Sequence, residues 1–211
     1  MTFRAFRAAA AIGAFSLGLA MPVAPAPAQL GQSEGYKFLE AIRESEKDRT
    51  KGAEITEALN KPGTTVVNTQ DYSTRETALH IVAKRNDALY TRFLLQKGAN
   101  PNLRDAKGNT PLLAAITLGA DSVIADLIKG RTNLNLANQA GETPLIRAVQ
   151  LRNLNAVRDL LAAGANPDQV DNIAGRSARD YALEDKRFPA LAALFADIPR
   201  RDRRSNIGPN L

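Results

Sequence analysis

Thr110-Pro111-Leu112-Leu113-Ala114-Ala115 returns 33 residues later as Thr143-Pro144-Leu145-Ile146-Arg147-Ala148. The same place is held 33 residues earlier by Thr77-Ala78-Leu79-His80, and 34 residues after the last of these by Ser177-Ala178-Arg179-Asp180. Other marks keep the phase. Glycine turns precede three of the copies, as Gly108-Asn109, Gly141-Glu142 and Gly175-Arg176. Gly98-Ala99-Asn100-Pro101 reappears as Gly164-Ala165-Asn166-Pro167, and Leu94-Leu95, Leu127-Ile128 and Leu160-Leu161 share one position in successive units. Several marks recurring together at a fixed period signify a stack of repeated units.

The physics of one unit is local. Thr110 caps a helix whose first residue is Pro111, where a missing N–H costs nothing. Leu112, Ala115 and Ile116 share a face at three-to-four spacing, and Gly119 ends the helix. Val123, Ile124, Leu127 and Ile128 form the apolar stripe of a second helix. The Asn-, Gly- and Ala-rich segment from Lys129 to Gly141 is the connecting loop and hairpin. Two short helices cannot bury their apolar faces alone, so units must stack. Small Ala115 and Ala148 let neighbouring helices approach.

The period, the Thr-Pro-Leu-x-x-Ala core and the Gly-Ala-Asn-Pro turn together resemble the ankyrin repeat. The resemblance runs from Tyr72 to Ile198. It implies an all-α solenoid of about four helix-turn-helix units joined by short β-hairpin loops. Ahead of it, residues 29–71 read as a linker and a divergent N-terminal capping pair, Tyr36–Ile42 and Glu54–Leu59. Val67-Asn68-Thr69-Gln70-Asp71 imitates Pro101-Asn102-Leu103-Arg104-Asp105. The hairpins before Thr77 and Ser177 are each one residue longer than the others, and Ser73-Thr74-Arg75-Glu76 lacks glycine. Arg179 replaces a core leucine, which reads as a last repeat whose outer face meets water. Ala190, Leu191, Leu194 and Phe195 are expected to close the stack.

The resemblance further implies recognition of another protein through hairpin tips and inner helices. Position by position, the tips supply Tyr72, Arg75, Glu76, Lys107, Asn109, Gln139, Glu142 and Arg176. The inner helices supply Lys84, Arg85, Thr117, Leu118, Arg147, Gln150 and Leu151. Leu118 and Leu151 hold equivalent places where polar residues are usual, and apolar side chains rimmed by Arg, Lys and Gln are the composition of a protein-binding patch.

Catalysis is not expected. His80 is the sole histidine, and the absence of cysteine removes thiol nucleophiles, disulfides and thiolate metal sites. In the family pattern His80 is a structural hydrogen-bonding residue. Asp71, Asp105 and Asp171 follow the repeat phase, with Asn138 in the same slot, so turn chemistry accounts for them. No phosphate loop, dinucleotide fingerprint or nucleophile elbow is present, and no cofactor or metal is expected.

Residues 1–28 read as a signal peptide. Arg4 and Arg7 precede the apolar stretch Ala8–Ala20, and Ala26-Pro27-Ala28 offers a cleavage site before Gln29. Thirteen apolar residues fall short of the roughly 20 a membrane span needs. With no Asn-x-Ser/Thr sequon, the expected location is a bacterial periplasm, with no membrane span after processing and a monomeric state. Net charge is +6, of which Arg4 and Arg7 hold +2 and the tail Pro199–Arg204 holds +3. The intervening fold is nearly neutral, which argues against a nucleic-acid groove. Residues 199–211 read as a disordered basic tail. An envelope-anchored scaffold held by that tail is the alternative role.

Overall fold

The computed structural model describes residues 33–200. The signal segment and the tail beyond Arg200 lie outside the described residues. Two N-terminal helices, α1 (Glu34–Glu44) and α2 (Lys51–Asn60), lead through a short 3-10 turn, Val66–Asn68, into four helix pairs. These are α3 (Ala78–Lys84) with α4 (Ala88–Gln96), α5 (Pro111–Leu118) with α6 (Asp121–Lys129), α7 (Pro144–Gln150) with α8 (Leu154–Ala162), and α9 (Ala178–Glu184) with α10 (Pro189–Ala193). The odd-numbered helices α3, α5, α7 and α9 stack as an inner layer, and α4, α6 and α8 stack outside them.

Each inner helix begins as its sequence dictates. Thr110 and Thr143 sit in extended backbone and accept from the N–H of Leu113 (3.3 Å) and Ile146 (3.2 Å), with proline in the first turn. Ser177 accepts from Asp180 N–H at 3.2 Å, while Asp180 accepts from Ser177 N–H at 3.0 Å, a closed capping box. Val82, Ala115, Ala148 and Ala182 occupy one register position and are fully buried. Three of the four are alanine, so helix backbones come close and the apolar faces of consecutive pairs seal one another.

The tips are tied more by side chains than by strand pairing. Each carries one hairpin-type bond, from the N–H of Asp71, Asp105, Asn138 and Asp171 to the carbonyls of Glu76, Asn109, Glu142 and Arg176. Among the described residues only Val170 and Ser177 form a strand-like bridge. The Oδ1 atoms of Asp71, Asp105, Asn138 and Asp171 gather the N–H groups of their own loops. Both aspartate and asparagine serve, because the work is done by a carbonyl-like acceptor. Neighbouring tips are laced by backbone bonds from Ala106 to Thr74 (2.8 Å), Gln139 to Lys107 (3.3 Å) and Asn172 to Ala140 (3.0 Å).

Left-handed backbone also follows the repeat. The slot two residues before each cap is held by Gly108, Gly141 and Gly175, and in the first tip by Arg75 at φ 55°. The missing glycine therefore does not change the shape of that turn; Arg75 takes the left-handed conformation instead, at a steric cost of about 1 kcal/mol. Asn86, Gly119 and Arg152 share a second such slot, and Gly98, Arg131 and Gly164 a third.

The loops beneath the outer helices form a ladder. Asn68, Asn102 and Asn135 each accept, through Oδ1, the N–H of Asn100, Asn133 and Asn166 in the next unit, all at 2.7 Å. Asp168 stands next in this series and is engaged differently, by Arg179.

Arg179 corrects the sequence reading. It does not meet water; it is 5% exposed. Its Nε donates to Asp168 at 2.7 Å, and Nη1 donates to the carbonyls of Phe195 (3.0 Å) and Ile198 (2.9 Å). A buried guanidinium persists only when its charge is paired and its donors are filled, and both conditions hold here. Leu191 and Phe195 are buried as expected of a closing helix, Leu194 is half-buried, and Ala190 is exposed.

Candidate functional site

The inner helices and tips form one face, and the expected site residues divide upon it. Tyr72, Arg75, Lys107, Gln139 and Arg176 are exposed along the tip row. Lys84, Thr117, Leu118, Gln150 and Leu151 are exposed along the inner helices. Leu118 is 60% exposed and Leu151 46%. Neither leucine packs beneath a neighbouring unit, so each presents a solvated apolar surface at equivalent places one repeat apart.

The remaining candidates are partly absorbed by the fold. Arg85 is turned away: its guanidinium donates to the Ile42 carbonyl at 2.7 Å and to Ser45 Oγ at 3.3 Å, and pairs with Asp87. The carbonyl and hydroxyl at the end of α1 need donors, and Arg85 is long enough to reach them. Asn109 is half-buried and joins two tips, donating to Asp105 at 3.2 Å and accepting from Asn138 at 3.2 Å. Gln139 donates to the Ala106 carbonyl at 3.0 Å.

Ion pairs cross from tip to inner helix in three of the four units. Glu76 pairs with Lys84, Glu142 with Arg147 at 2.5 Å, and Arg176 with Glu184 at 2.7 Å. Arg147 Nε is buried without an acceptor among the described residues. The second unit has no such pair. There Ser73 and Thr74 of the first tip, Lys107 of the second, and Ala114, Thr117 and Leu118 of α5 enclose a cleft of about 550 Å³. Ala114 escaped the sequence reading. The available signal was the register position itself, which carries Ile81, Ala114, Arg147 and Tyr181 in turn.

His80 is fully buried. Its Nδ1 accepts from Thr77 N–H at 3.1 Å, so Nε2 carries the hydrogen and donates to the Asn109 carbonyl at 3.0 Å. Burial lowers its pKa, only partly offset by the Asn109 carbonyl and the Asp105 charge. Burial acts to raise Asp71, but the Thr74 N–H, the Ser73 hydroxyl and Arg43 at 2.6 Å prevail and hold its carboxyl well below the usual range. Asp171 is likewise lowered against the pull of burial, chiefly by the Tyr181 hydroxyl donating to it at 2.6 Å. These groups are saturated turn and cap elements, and none opens onto a substrate-sized space. Among the described residues no cluster of metal-ligating side chains occurs, and no helix is long and apolar enough to cross a membrane.

Comparison with known families agrees with this architecture. A model described as ankyrin repeats in three copies matches residues 49–136, and a single ankyrin-repeat model matches 140–172, together more than half of the chain. The chain belongs to the ankyrin-repeat family. The first match begins inside the N-terminal pair, ahead of the clear repeats. Over 163 residues the ankyrin-repeat chain is 33% identical to Neurogenic locus notch homolog protein 1 of Xenopus laevis, covering 77% of this chain. It is 38% identical over 74 residues to human Rabankyrin-5, covering 30% of this chain. A 65-residue stretch is 37% identical to the Nuclear factor NF-kappa-B p110 subunit of Drosophila melanogaster. The matched segments span only 6% or 7% of those proteins. The shared property is a protein–protein interaction module.

Proposed function

We propose that this chain is a non-catalytic recognition module, exported to the bacterial periplasm, that binds a partner protein through its inner helices and tip row. The observation that carries the binding reading is the pair Leu118 and Leu151, 60% and 46% exposed at equivalent positions and bordered by Thr117, Arg147 and Gln150. Solvated apolar side chains on a rigid face gain free energy when a partner covers them, and a prestacked face loses little conformational entropy on binding. The laced tips supply that rigidity. The export reading rests on Arg4, Arg7, the apolar stretch Ala8–Ala20 and Ala26-Pro27-Ala28.

The test is partner capture from a periplasmic extract, with the Leu118→Glu/Leu151→Glu variant alongside and circular dichroism reporting the fold of both. A protein retained by the wild type and lost by the folded variant supports the reading; equal retention by both places the contact elsewhere. Mass spectrometry of the exported protein is expected to show Gln29 as its first residue, and an intact N-terminus refutes processing.

A further inference from the structure

The cleft of the second unit differs from the rest of the face in shape and in charge. Its shape comes from one register position. The fourth residue after each cap is Ile81, Ala114, Arg147 and Tyr181, so α5 alone carries a side chain of one carbon there. Thr117 does not fill the space, because its hydroxyl is bound to the Leu113 carbonyl at 2.8 Å. Leu118 stands exposed at the border. The floor is therefore apolar and recessed, with a volume of about 550 Å³, in the usual range for a pocket that receives small groups.

The charges around it do not cancel. Glu76 is neutralised by Lys84. The Asp105 carboxylate is enclosed by its own loop, accepting from Lys107 N–H and Asn109 N–H at 2.8 Å each. The ammonium of Lys107 has no acidic partner among the described residues, and neither has Arg75 on the neighbouring tip. A recessed apolar floor beside uncompensated cations complements an apolar side chain next to a carboxylate.

We infer that this cleft receives an acidic peptide segment of the partner, with an apolar side chain over Ala114 and a neighbouring Asp or Glu facing Lys107. This rests on the recognition-module reading and names its partner chemistry. The peptide backbone finds donors and acceptors in the hydroxyls of Ser73 and Thr74 on the opposite wall.

Fluorescein-labelled decapeptides carrying Leu or Phe beside Glu, Ser or Lys, titrated against the purified protein by fluorescence anisotropy, test this directly. Glu-bearing peptides are expected to bind at least tenfold more tightly than their Lys counterparts at low salt, with the preference shrinking as salt rises. Ala114→Arg, which installs the side chain that α7 carries at the same position, is expected to reduce Glu-peptide binding at least tenfold. Lys107→Glu is expected to invert the preference toward Lys-bearing peptides, and as a surface change it keeps the result readable should Ala114→Arg perturb folding. No preference for Glu over Lys, or unchanged binding by both variants, overturns the inference. Glu-peptide binding that survives in Ala114→Arg and Lys107→Glu but is lost in Leu118→Glu/Leu151→Glu overturns the cleft assignment while sparing the recognition module.

Discussion

His80 Nε2 donates to the backbone carbonyl of Asn109 across the junction of two repeats, at 3.0 Å. The same imidazole accepts Thr77 N–H through Nδ1, so one neutral ring caps its own helix and ties down the next tip. A protonated ring has no acceptor left for Thr77 N–H.

Stability is therefore expected to depend on pH through His80. Burial holds its folded pKa below the ordinary 6.5. Between the folded value and 6.5 the unfolded chain binds more protons, so stability is complete above 6.5 and declines as pH falls below it. Thermal melts from pH 7.5 to 5.5 are expected to show this decline in the wild type and a weaker one in His80→Leu. At pH 7.5 His80→Ala is expected to cost about 2 kcal/mol, from the unsatisfied Thr77 N–H and the vacated volume. Denaturant titration measures it.

Tip stacking makes Gly141 intolerant of a side chain. Its φ is +78°, and an added Cβ meets the backbone nitrogen of Asn172 at 2.5 Å. Gly141→Ala is expected to destabilise by about 2 kcal/mol, combining left-handed strain with displacement of the next tip. Hydrogen exchange is expected to quicken at Asn172, whose N–H bonds the Ala140 carbonyl.

The converse holds where arginine occupies a left-handed slot. Arg131 has φ 59° in the position held by Gly98 and Gly164. Arg131→Gly is expected to raise stability by about 0.5 kcal/mol, since relief of strain exceeds the added flexibility of the unfolded chain. A fall in the denaturation midpoint refutes this.

Arg179 anchors the C-terminal end. Arg179→Ala leaves the Asp168 carboxylate and the carbonyls of Phe195 and Ile198 without their donor. The expected cost is about 3 kcal/mol. Loss of protection is expected first in α10. The double change Asp168→Asn/Arg179→Leu, which restores the leucine of Leu112 and Leu145 and the asparagine of the loop ladder, is expected to recover most of it, as parallel denaturation curves will show.

The period, the helix starts at Thr110, Thr143 and Ser177, the loop-closing role of Asp105 and Asn138 and the structural role of His80 were all legible in the chain. Each depends on groups a few residues apart, or on the next copy of the same motif, so sequence spacing alone determines it. Tertiary structure decided the rest. Arg179 is buried because Phe195 and Ile198 return over it, Arg85 leaves the recognition face because the end of α1 offers it acceptors, and Arg75 accepts a glycine's backbone because the surrounding tip demands it. The cleft over Ala114 exists only because the adjoining tips and α5 surround a small residue with nothing to fill the space. Such features arise from which neighbours lie across a repeat junction and how much volume they leave, and that is settled when the units pack.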